Sequence, residues 1–210
     1  IVESTFNNFL NETFFISDGQ RGFLQYPREL PGFLVVFFAA LFFFLCSRIL
    51  AFVYNLLCDF GILLIGFGSP NFDVMLIWLF IFSIGQHLFI PLNQSIGMDL
   101  SVKGQEGRRL GQFSAVANLA MILGSFAIFL GFKFFHFTFQ LSYSIAFLGF
   151  LMVAGFFYMM QKDQPYAART KFQLRREYRL FYWLNILYGT RKQIFLTFAP
   201  WVLVTVFRQK

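Results

Sequence analysis

The sequence predicts an all-α integral membrane protein, and three observations carry that class. From residue 30 to residue 68, only Arg48 and Asp59 carry charge at neutral pH. A helix over those 39 residues would be about 58 Å long at 1.5 Å per residue. A bilayer core is about 30 Å thick and needs roughly 20 apolar residues to cross. The run therefore reads as two spans folded back at Cys46-Ser47-Arg48. The second observation is composition: 58% hydrophobic and 13% charged, with 35 Phe, against about 45–50% and 25% in soluble domains. The third is continuity. Strands of a membrane barrel are about 10 residues of alternation, and these apolar runs are unbroken and twice as long.

Each element follows from its neighbours. Residues 1–10 are short and polar and read as the second half of a helix whose first half is missing. Residues 11–25, with Asp18-Gly19 and Arg21-Gly22 as turn signals, read as a loop. Helix two is expected over 27–45, with Pro27 near its start, where proline is tolerated. Helix three is expected over 49–68, then a turn at Ser69-Pro70-Asn71. Helix four covers 72–96 with Pro91 inside it, helix five 110–132 and helix six 139–160. Residues 161–177 form a charged linker. Helix seven, 178–207, has Gly189-Thr190-Arg191-Lys192-Gln193 at its centre. It reads as one long helix or two half-helices; the alternative ends an amphipathic helix near Tyr188 and starts a 14-residue span at Ile194, short for a crossing.

The net charge of +7 is placed for a membrane and not for a nucleic acid. Arg48, the 97–112 loop and the 161–179 stretch put ten basic residues on one side. The other side has Arg21, Arg28, Lys133, Arg208 and Lys210. The positive-inside rule makes the first side cytoplasmic. The expected location is a bacterial inner membrane, with the basic loops cytoplasmic. Cys46 and Cys58 have no CxxC or Cys/His spacing, so they read as packing thiols. No metal or cofactor is expected.

The layout resembles the major facilitator superfamily of secondary transporters. A tight turn joins helices two and three. The segment from Gly97 to Ala115, containing Gly107-Arg108-Arg109-Leu110-Gly111, resembles that family's entry from helix four into helix five. A basic linker then leads into a seventh helix. The family's Gly-x-x-x-Asp-Arg-x-Gly-Arg-Arg signature is reduced here to Ser47-Arg48. The resemblance implies a six-helix bundle over 1–160 with a truncated first helix, the linker 161–177, and helix seven (178–210) opening a second bundle whose remainder is missing. It also implies that helix three lies outside helix one, and a pseudo-twofold axis relating helices one and seven. Phe6 then falls on Phe195, Phe9 on Phe198 and Glu3 on Lys192.

Charges at bilayer depth cost at least about 2.5–3.5 kcal/mol, so the polar residues inside the spans are the functional candidates. Glu3 is expected to pair with Arg191 or Lys192, with Gln193 beside them. Asn7 lies on the same face as Glu3. On helix four, Gln86 and His87 stand midway along the span; imidazole titrates near 6.5, suited to proton transfer. Pro91 frees the His87 carbonyl. Asn118 and Ser114 are expected to line a cavity from helix five, and Gly111, Gly124 and Gly131 to permit close packing. Asp59 is expected to accept a hydrogen bond from a neighbouring helix, and Lys133 and His136 to be solvated.

The resemblance implies a secondary transporter of a small solute, proton- or ion-coupled, working by alternating access. The expected partners are that solute, H+, the lipid bilayer and the second transmembrane half. No enzyme is expected, because the chain has no His-Glu-x-x-His, paired intramembrane Asp or Gly-x-Ser-x-Gly pattern, and its two His are 49 residues apart. The alternative is a non-transporting polytopic protein: a receptor, scaffold or channel subunit.

Overall fold

The computed structural model of the protein describes residues 2–41, 45–160 and 176–206. Within them the chain runs as α1 (Val2–Phe14), α2 (Asp18–Leu41), α3 (Ser47–Phe67), α4 (Phe72–Asp99), α5 (Glu106–Phe134), α6 (Phe139–Met159) and α7 (Arg179–Thr205), with no strand among the described residues. Helices α3 to α6 are each long and apolar enough to cross a bilayer. The protein is thus an α-helical, multi-pass membrane protein.

The first two helices differ from the sequence reading. The expected loop over 11–25 is helical except for residues 15–17, so α2 begins nine residues before Pro27. The reason is one-sided burial. Phe6, Phe9, Leu10, Arg21 and Leu24 are all buried, while Glu12, Thr13, Ser17, Asp18 and Gln20 are exposed, a pattern that a charge count does not register. The start of α2 is held by a capping box. The Ser17 N–H donates to Gln20 Oε1 at 2.9 Å, and the Gln20 N–H donates back to Ser17 Oγ at 3.3 Å. The polar loops are correspondingly shorter: α4 runs on to Asp99 and α5 starts at Glu106.

Helix α3 is the centre of the molecule, not an outer helix as the resemblance implied. It packs most extensively on α4 and α6. Two glycines set the α3–α4 approach. A Cβ at Gly85 would stand 2.5 Å from the Tyr54 carbonyl oxygen, and one at Gly61 would stand 2.6 Å from the Phe82 backbone. Against α6, Gly66 admits the Tyr143 ring, and Arg48 Nη1 donates to the carbonyls of Tyr158 and Met160 at 3.0 and 3.1 Å. Arg48 thereby caps the last turn of α6, where free carbonyls and the helix dipole favour a cation. Phe9 joins α1 to this core through edge contacts with Phe139 and Tyr143.

Helix α5 is different. Of its residues only Ile128 and Gly131 are buried. The expected close packing at Gly111 and Gly124 is absent among the described residues: none of them lies within 4 Å of a Cβ built at either. Gly131 does lie close to another residue, but its neighbour is the ring of Phe137 in the following loop. Helix α7 is one continuous helix across residues 189–193.

Candidate functional site

Helices α2 and α4 meet through polar groups halfway along their lengths. Ser83 Oγ on α4 donates to the Arg28 carbonyl on α2. One turn on, His87 Nε2 lies 3.7 Å from Glu29 Oε2, and Arg28 Nε lies 3.8 Å from Glu29 Oε1. Glu29 therefore stands between two nitrogen groups, one permanently charged and one charged only when protonated. The imidazole fits because residue 32 is glycine. A Cβ there would stand 2.9 Å from His87 Nδ1. Gln86 is half-buried beside His87.

A second polar region is a cleft of about 620 Å³ between α1, α5 and the start of α6. Ser4, Thr5, Asn8 and Glu12 line it from α1, and Ser125, Phe129, Phe132 and Lys133 from α5. A hydrogen bond between Ser4 Oγ and Ser125 Oγ, at 2.8 Å, ties the two helices across it. Lys133 is exposed, as expected, with its ammonium 5.4 Å from the Phe129 ring centre and 5.3 Å from that of Phe134.

Two buried ionic residues stand apart from these regions. Asp59 is 1% exposed, and neither carboxyl oxygen has a hydrogen-bond partner among the described residues. The bond expected from a neighbouring helix is not formed. Arg21, expected in a solvated loop, is also 1% exposed. It lies under the Trp201 ring of α7, with its guanidinium carbon 5.8 Å from the centroid. Trp201 Nε1 in turn donates to Asp18 Oδ1 at 2.6 Å, so one aromatic residue docks α7 onto the start of α2.

Among the described residues, those singled out from sequence do not form one cluster. Asn7 is half-buried on α1, its Oδ1 enclosed and without a hydrogen-bond partner among the described residues. His87 and Gln86 belong to the α2–α4 contact. Asn118 and Ser114 are exposed on α5. Glu3, Arg191, Lys192 and Gln193 lie on α1 and α7, and their side chains are outside the described residues. Phe6 and Phe9 are buried, whereas Phe195 and Phe198 are 70% and 42% exposed, so the paired positions of helices one and seven sit in unlike surroundings. Glu29, Glu12 and Ser125 were missed. Glu29 sits one residue before the charge-free run, and a linear count places it outside the span.

No family model matches the chain, and neither a curated protein nor a solved structure matches it. Among the described residues, no group of three His, Cys, Asp or Glu side chains is placed to hold a metal ion.

Proposed function

We propose that the chain belongs to a secondary transporter that moves a small solute by alternating access, in the manner of the major facilitator superfamily, with H+ as the coupling ion. The observation that carries this reading is the Glu29–His87 pair, which joins two packed helices of a membrane protein near their midpoints. Such groups are costly at membrane depth and are kept where they work. A proton on His87 gives Glu29 a second cation across the helix interface. Without it, that attraction across the interface is lost, while Arg28 on the same helix stays beside Glu29. Proton binding therefore changes the attraction between α2 and α4, and Pro91, four residues past His87, removes the N–H that would hold the His87 carbonyl. That combination makes α4 able to bend where the proton binds.

The test is uptake into proteoliposomes holding the full-length protein under an imposed pH gradient, with a panel of small solutes. Gradient-driven uptake should be present in the wild type and lost in both His87→Gln and Glu29→Gln, while exchange without a gradient persists. Coupling that survives both substitutions removes the proton role. An absence of uptake or exchange for every solute removes the transporter reading.

A further inference from the structure

The α1–α5 cleft carries charges of both signs and no large excess of either. Glu12 and Lys133 both line it, near the ends of their helices. Ser4, Asn8 and Ser125 supply hydroxyl and amide groups along it, and Phe132 supplies an apolar wall. Its volume of about 620 Å³ falls within the roughly 300–1,000 Å³ of small-molecule sites. An anion alone would meet the Glu12 carboxylate, and a cation alone would meet the Lys133 ammonium. Like charges brought together select against a ligand as effectively as opposite charges select for one.

We infer that this cleft binds a small zwitterionic amino-carboxylate, its ammonium toward Glu12, its carboxylate toward Lys133 and its side chain against the phenylalanine wall. The assignment of such a solute as transported substrate rests on the transporter reading above; the binding site itself does not. The aromatic rings at 5.3 and 5.4 Å hold the lysine ammonium at the rim of the cleft through cation–π attraction. The hydroxyl pair Ser4–Ser125 spans the cleft from α1 to α5.

The experiment measures thermal unfolding of the full-length protein in nanodiscs with glycine, leucine or phenylalanine. It then uses two singly charged relatives, phenylalanine amide and N-acetylphenylalanine. At least one free amino acid should raise the unfolding temperature, and neither relative of phenylalanine should match its effect. Glu12→Gln and Lys133→Met should each weaken the response at least tenfold; both side chains are exposed, so both variants should fold. A response to no free amino acid overturns the site. So does an equal response to all three forms of phenylalanine, or a response unchanged in both variants. Proton-driven uptake of another solute class, with no amino-acid binding, removes this site and leaves the transporter reading. Amino-acid binding with no transport of any solute does the reverse.

Discussion

Single residues decide whether the polar contacts form at all. Gly32 is the clearest case, because its missing side chain is the space that His87 Nδ1 occupies. Gly32→Ala should push the imidazole off Glu29 and flatten the pH dependence of uptake. The ring can turn away, so the loss in thermal stability should stay near the low end of the about 1–3 kcal/mol typical of overpacking. Gly32→Ala with unaltered pH dependence would separate His87 from the response. At this scale the sequence was half legible. His87 stood out as a titratable group in mid-span. Glu29 did not, because its depth depends on where α2 starts, and the capping box Ser17-Asp18-Gly19-Gln20 that marks the start was read as a turn.

Backbone proximity and end-capping are two of the contacts that hold the helices to one another, and each has its own signature. Gly85→Ala would drive a Cβ into the Tyr54 carbonyl and the Cys58 backbone of α3. Neither can move without shifting a helix, so the variant should unfold at lower temperature, by about 1–3 kcal/mol. Gly124→Ala meets open space on α5 and should be neutral or stabilising by about 0.5–1 kcal/mol. Equal effects at the two sites would contradict the packing described. Arg48→Ala removes the donor to two α6 carbonyls. Hydrogen bonds from charged groups are worth about 1.5–3 kcal/mol, and amide exchange in the last turn of α6 should speed up in that variant. The sequence showed which segments are helical. It did not show which glycines are contacts, because a glycine against a helix and a glycine facing lipid read alike.

Across the whole molecule, hydropathy made the four long apolar helices legible, since a bilayer sets their length. The arrangement was not legible: α3 lies centrally and α5 at the margin because of pairwise fits that no composition records. Topology can be checked directly. With Cys46 and Cys58 replaced by Ser, single cysteines at Ser17 and His136 should be labelled from one side of the membrane. One at Gly104 should be labelled from the other, three helices further on. Labelling of Ser17 and Gly104 from the same side would reverse the crossing of α2, α3 or α4. The unequal packing has a mechanical consequence. Helices α3 and α4 touch at backbone distance and α6 is pinned to α3 by Arg48, so these three form a stiff plate. Helix α5 meets α1 through the Ser4–Ser125 hydroxyl pair, α6 through the Phe132–Phe139 rings and α4 through a narrow seam, and most of its residues are exposed. Stress entering through α1 will be taken up by displacing α5 long before the plate deforms.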